Sequence, residues 1–210
     1  MASQRHIAFE RPAVARDPLE RDLVEHDPIL VAAHASIMDL GLRRTTVAEV
    51  ARRAGLSRMT VYRQYGDLAS VVGALLSAET GRLGAEVRTA AARLPTARER
   101  AVECTVRVVA GLAHHPLLRR VLDLDPESLL PYVTDRLGSS QRALVAVLED
   151  EIADGVRDGS IRDVDPHRAA LTLLLAAQSF VFSARVVAAE DDEDEVLDEL
   201  RHLADGYLRR

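Results

Sequence analysis

The stretch TTVAEVARRAGLSRMTVYRQY, Thr45 to Tyr65, decides the fold. Thr45 or Thr46 supplies an N-cap, and Val47, Val50, Ala51 and Ala54 then recur at helical spacing until Gly55, a residue free to take positive φ. Ser57 caps a second short helix that runs to about Tyr65 and stops at Gly66. Two short helices meeting at Gly55, Leu56, Ser57 have the spacing of a helix-turn-helix. The local reasons agree with it. Ala51 is small where the helices cross, Leu56 fills the gap between them, and Val61 faces the core.

Working outward, Asp27 followed by Pro28 starts a first helix, with Ile29, Leu30, Ala33, Ile37 and Leu40 on one side and Gly41 at its end. Residues 1 to 26 carry Pro12, Pro18 and mixed charges without a sustained apolar period, the pattern of a mobile arm. Asp67 opens a long fourth helix that stops near Pro95, and Thr96 opens a fifth with Val102, Val106, Val109 and Ala113. Pro126 and Pro131 break the next stretch into short helices. A seventh helix is expected from about Tyr132 to Arg157, an apolar eighth after Asp165 and Pro166, and a ninth behind the acidic run Asp191 to Glu195.

Composition points the same way. The 210 residues are 48% hydrophobic and 29% charged, enough for one or two globular domains with a real core. Ala (32) and Leu (29) outnumber Gly (11) and Pro (8), and aromatics reach only 3%, so an all-helical fold of about nine helices is expected. One cysteine, Cys104, excludes a disulfide framework and a Cys-rich zinc module. No apolar leader precedes residue 27, and the apolar stretch 171 to 187 is interrupted by Gln178, Ser179, Ser183 and Arg185. A cytoplasmic protein without a membrane partner is therefore expected.

Charge is distributed unevenly. Gly41 to Gly66 holds six Arg against Glu49 alone, a net +5, whereas Asp67 to Arg210 holds 17 Arg against 25 acids, a net −8. A basic module on an acidic body is the footprint of a chain that docks one end on a polyanion.

On these residues the chain resembles the TetR family of transcriptional regulators. The match runs from Thr45 and Thr46 through Val50, Ala51, Ala54, Gly55, Leu56 and Ser57 to Thr60, Val61, Tyr62, Arg63, Gln64 and Tyr65. Asp163 to Pro166 and Asp205 to Leu208 look like weaker echoes, so the resemblance extends over 27 to 210. Two positions depart from the family's pattern: Met59 stands where a Gly usually precedes the recognition-helix Thr, and Leu68 where a Lys usually opens the fourth helix. The first changes how closely the recognition helix approaches the groove. The second removes a side-chain phosphate contact and leaves that role to backbone amides.

The resemblance implies a homodimeric, ligand-responsive repressor of a double-stranded DNA operator. A helix-turn-helix unit (27 to 66) would bind DNA, and a C-terminal unit (67 to 210) would bind a small-molecule effector and the second subunit. It implies further that Arg58, Met59, Thr60, Arg63 and Gln64 face the major groove while Arg44, Thr45, Thr46 and Tyr62 hold phosphates. Arg reads guanine, Gln reads adenine, and Thr or Met meets the thymine methyl.

The eighth helix carries Leu171, Leu173, Leu174 and Leu175 on nearly every side, and the ninth carries Val196, Leu200, Leu203 and Tyr207. A second copy covering Leu171, Leu174, Leu175 and the ninth-helix stripe is the expected dimer interface. The ligand pocket is expected inside helices four to eight, with Gln178, Ser179 and Phe182 joined by Cys104, Thr105 and Tyr132, and to suit a largely apolar molecule.

Other constellations carry less. His114 and His115 are neighbours that point about 100 degrees apart on a helix, which suits a helix terminus better than one metal. Cys104 beside an apolar stripe reads as packing. Glu149, Asp150, Glu151, Asp154 and Asp158 spread over several helical faces and read as solvated surface. No phosphate loop, nucleophile elbow or His-Glu-x-x-His motif is present, so neither catalysis nor a cofactor is expected. The other reading of the chain is a helical binding or interaction protein whose helix-turn-helix does not read DNA.

Overall fold

The computed structural model describes residues 27–130, 135, 137–187 and 192–210, so the N-terminal arm of 1 to 26 and Tyr132 lie outside the described residues. Among the described residues the regular structure is helical: α1 (Pro28–Leu40), α2 (Val47–Ala54), α3 (Arg58–Tyr65), α4 (Leu68–Ala91), α5 (Ala97–Ala113), α6 (Pro116–Leu124), a 3-10 turn (Pro126–Leu129), α7 (Ser139–Asp158), α8 (Pro166–Val187) and α9 (Glu193–Leu208). None of these helices is long and apolar enough to cross a membrane.

The helix starts follow local chemistry. Asp27 Oδ1 accepts from Ile29 N at 2.8 Å, Asp67 Oδ1 from Ser70 N at 2.7 Å, and Asp165 Oδ1 from Arg168 N at 2.8 Å. Thr96 and Glu99 answer each other's backbone amides in a reciprocal box at the start of α5. The seventh helix is a correction: it begins at Ser139 and not near Tyr132, with the Gly138 amide donating to Gln141 Oε1 at 2.6 Å.

One apolar cluster joins α1, α2 and α3 to the start of α4 and to α6 through Ile29, Ile37, Val50, Val61, Val71, Leu75, Leu117 and Val121. A second joins α4, α5, α7, α8 and α9 through Val87, Val102, Leu148, Ile152, Leu173 and Leu208. The 24 residues of α4 span about 36 Å. They enter the first cluster at Val71 and the second at Val87, so α4 is shared by both cores. The α6 helix, Leu129 of the 3-10 turn and Phe182 of α8 also pack on the first cluster.

Candidate nucleic-acid interface and ligand cavity

The helix-turn-helix is built from three short-range devices. Thr46 Oγ1 accepts from Glu49 N at 3.2 Å and starts α2. Gly55 sits at φ 67°, which lets the Leu56 amide turn back to Ala51 O at 2.9 Å and close the helix. Ser57 Oγ then accepts from Thr60 N at 3.1 Å and starts α3. Val50 and Val61 are fully buried and Ala51 almost so, which turns the opposite side of α3 to solvent. On that side stand Arg58, Met59, Tyr62 and Arg63, with Met59 74% and Tyr62 47% exposed. Thr60 is half-buried, its hydroxyl 3.0 Å from Ser57 Oγ.

Two expected DNA contacts are otherwise employed. Thr45 is buried and its hydroxyl donates to Gly41 O at 2.8 Å, so it holds the loop before α2 and leaves Thr46, which is exposed, as the threonine at the surface. Gln64 lies at the last turn of α3, where its Nε2 donates to Asp27 Oδ2 at 2.8 Å. Tyr65 donates its hydroxyl to the same carboxylate oxygen, so Asp27 clamps the end of α3 onto the start of α1. Burial first, and that bond to Asp27 second, push the Tyr65 phenol up to about 12.

Only part of the basic segment's charge is unspent. Arg52 and Arg53 converge on Glu49, Arg53 also reaches Asp39 Oδ2 at 2.6 Å, and Arg43 pairs with Glu127 Oε1 at 3.0 Å. The hydrogen bonds from Arg52 and then Arg53 hold the Glu49 carboxyl down at about 2. Arg44, Arg58 and Arg63 are exposed and have no ion-pair partner among the described residues. Leu68 turns inward onto the first apolar cluster, and the Asp67 carboxylate occupies the Ser70 amide at the start of α4.

Inside the bundle lies a cavity of about 460 Å³. Its walls come from α4 (Leu76, Glu79, Thr80), α5 (Val108, Val109, Leu112), α6 and its cap (His115, Leu118), α8 (Leu174, Ala177, Gln178, Val181, Phe182) and the start of α7 with its cap (Gly138, Ser139, Gln141, Arg142, Leu144). Of the expected ligand residues, Gln178 and Phe182 line it. Ser179 is a correction: it is exposed, 3.4 Å from Leu175 O on its own helix. Cys104 and Thr105 line a separate void of about 30 Å³, with Thr105 bonded to Ala101 O. Burial, followed by the charges of Glu151 and Glu103, pushes the Cys104 thiol up to about 11.

Among the cavity residues outside the expected set are Glu79 and His115. Glu79 is 3% exposed, and His115 Nε2 stands 2.8 Å from its Oε2. A signal existed, since Glu79 occupies a helical step between Leu76 and Leu83 on an otherwise apolar stripe. His114 instead reaches Glu193 of α9 at 3.2 Å, so the adjacent histidines diverge.

The expected dimer surface divides. Leu174 and Leu200 are corrections: at 5% and 0% exposure they belong to the subunit's own core. Leu175 at 59% and Leu203 at 48% face outward, and Leu171, Val196 and Tyr207 are half-buried.

The comparisons with known proteins agree with this geometry. A family model described as "Bacterial regulatory proteins, tetR family" matches residues 29–75, the helix-turn-helix and the start of α4. A protein of Mycobacterium tuberculosis (strain ATCC 25618 / H37Rv) described as an uncharacterized HTH-type transcriptional regulator is 37% identical over 180 residues, 86% of this chain and 92% of its own. The fold is similar to that of the TetR family repressor AlkX from Dietzia sp. strain DQ12-45-1b, with a TM-score of 0.64, 20% identity and coverage of 86% of this chain and 92% of that one. It is also similar to the transcriptional regulator FadR from Bacillus subtilis, solved in complex with stearoyl-CoA, at a TM-score of 0.63 and 16% identity over 87% of this chain and 98% of that one.

Proposed function

The chain belongs to the TetR family of bacterial transcriptional regulators, and from that membership we propose that it is a cytoplasmic, homodimeric repressor that leaves its operator when a small, largely apolar molecule fills the bundle cavity. In this reading residues 27 to 66 hold DNA and residues 67 to 210 hold the effector and the second subunit. The observation that carries it is the recognition face of α3. Buried Val61 anchors one side, and Arg58, Met59, Tyr62 and Arg63 stand free on the other. Arg58 and Arg63 suit guanine edges, Met59 suits a thymine methyl, and Arg44, Thr46 and Tyr62 flank them as phosphate donors.

The cavity's walls support the switch. Its wall residues Leu76 and Glu79 sit on α4 and Leu118 on α6, two bundle helices that pack on the helix-turn-helix. A ligand that displaces either helix changes the separation of two recognition helices in a dimer, and it acts as an inducer to the extent that it binds the displaced arrangement better. Outward Leu175 and Leu203 give α8 and α9 an apolar face for the second copy. The likeness to a protein described as a repressor supports the sign of regulation.

Selection of bound sequences from random duplexes, followed by titration of the winner against salt, tests this reading. A palindromic site whose affinity falls steeply with salt is the expected result. Absence of any enriched sequence from a folded protein would leave the chain a helical binding protein with a silent helix-turn-helix.

A further inference from the structure

Three polar groups stand in the wall of the cavity with hydrogen-bonding capacity unspent. Glu79 is 97% shielded by the protein, and its Oε1 has no hydrogen-bond partner among the described residues. His115 Nε2 lies 2.8 Å from Glu79 Oε2, yet neither atom completes an aligned hydrogen bond. Across the cavity, Gln178 Nε2 on α8 is shielded and equally without a partner. Buried polar atoms are almost always paired, so three unpaired ones converging on one hollow mark what its occupant must supply.

We propose that the cavity takes an uncharged, mostly apolar molecule bearing a hydroxyl group, whose O–H donates to Glu79 and whose oxygen functions accept from Gln178. This assignment rests on the ligand-binding part of the reading above and names the chemistry of that ligand. A carboxylate placed against Glu79 meets like charge and would have to turn to Arg142 on the α7 side, away from Glu79 and Gln178. A bulky ammonium would have to compete for Glu79 Oε2 with the His115 ring, whose Nε2 stands 2.8 Å away. A plain hydrocarbon leaves all three groups unpaired, and desolvated polar atoms without partners oppose binding. The apolar part of the wall, Leu76, Val109, Leu112 and Val181, accommodates the apolar body.

Isothermal titration calorimetry of the full chain with four probes of equal length tests it: 1-octanol, its isostere 1-methoxyheptane, octanoate and octylamine. The expected order places 1-octanol about fivefold to tenfold tighter than the ether, which accepts but cannot donate, and tighter than either ion. Gln178→Leu, on the half-exposed side of α8, weakens 1-octanol by about fivefold. Glu79→Gln, which keeps the shape and removes the charge, narrows the preference of octanol over octanoate. If that variant fails to fold, the wild-type probe order and Gln178→Leu still decide. Equal affinity for the ether, tighter binding of octanoate or octylamine, or no binding of 1-octanol overturns the assignment. Operator affinity measured with and without 1-octanol separates the two readings, because octanol that binds with the expected selectivity and leaves the DNA complex intact upholds the ligand chemistry and removes the switch.

Discussion

The backbone N–H of Arg43 donates to Asp125 Oδ2 at 3.2 Å, which ties the loop ahead of α2 to the far end of α6. Asp125 is 4% exposed, and Arg120 Nη2 adds a second strut by donating to Asp39 O at 3.3 Å. The α6 helix thus touches the DNA-binding unit at the loop while Leu118 touches the cavity. Asp125→Ala leaves the Arg43 amide without its acceptor and should lower stability by about 1 to 3 kcal/mol. Glu127→Ala, which removes only an exposed pairing of Arg43, should cost under about 1 kcal/mol. Urea unfolding of the two variants checks the contrast, and equal losses would mean that the buried bond is not the tie.

Arginines that look alike in the sequence should differ on DNA. Arg44→Ala is expected to reduce the salt slope of operator binding by about 1, since it removes a phosphate-holding cation without a protein partner, whereas Arg58→Ala and Arg63→Ala, at base edges, are expected to weaken binding with a smaller change of slope. Arg63→Ala should also relax preference at one base pair by about 1 to 3 kcal/mol. Arg52→Ala should leave the slope nearly unchanged because Arg52 is bonded to Glu49. Thr45→Val should lower stability and not the slope, given the bond from its hydroxyl to Gly41 O. Fluorescence anisotropy across a salt series reads all five variants.

The eighth and ninth helices offer a test with built-in controls. Leu175→Glu or Leu203→Glu alters an outward side chain and should shift the sedimentation coefficient toward monomer with the fold intact. Leu174→Glu or Leu200→Glu buries a charge in the subunit's own core and should abolish folding before assembly is at issue. A wild-type protein that sediments as a monomer at micromolar concentration would dispose of the interface.

Tyr65 should give the protein an alkaline limit. Its folded value of about 12 lies above the ordinary tyrosine value near 10, so the stability it contributes is intact below about pH 10 and disappears as pH rises through about 12. Ultraviolet titration should show one late tyrosine that Tyr65→Phe removes. At the acid end, Glu49 is held at about 2, so its contribution is present above about pH 4.5 and is lost as pH falls toward 2. Cys104, raised to about 11, should react slowly with thiol reagents at pH 8 until the protein unfolds.

Gly155 of α7 is a place where a methyl group does not fit. A β-carbon there would collide with the side chain of Ile161, which is fully buried beneath it. Gly155→Ala should therefore destabilise by about 1 to 3 kcal/mol in thermal unfolding, against the gain expected of alanine in an exposed helix.

Asp27, Ser57, Asp67, Thr96 and Asp165 were legible as helix starts because a cap bonds to an amide two or three residues away, and the helix-turn-helix was legible because Val50, Ala51, Gly55, Leu56 and Val61 act within one another's reach. The all-helical class and the recognition face on α3 follow from such local terms alone. Tertiary structure decided what depends on distant partners. It spent Arg53 on Asp39 and Arg43 on Glu127, 14 and 84 residues away, and it bound Gln64 to Asp27, 37 residues away. It also sealed Leu174 while exposing its neighbour Leu175, and it brought Glu79 against His115 in the cavity wall. Helical periodicity states which residues share a face, but whether that face meets its own core, a hollow or open solvent is set by helices packed from elsewhere in the chain.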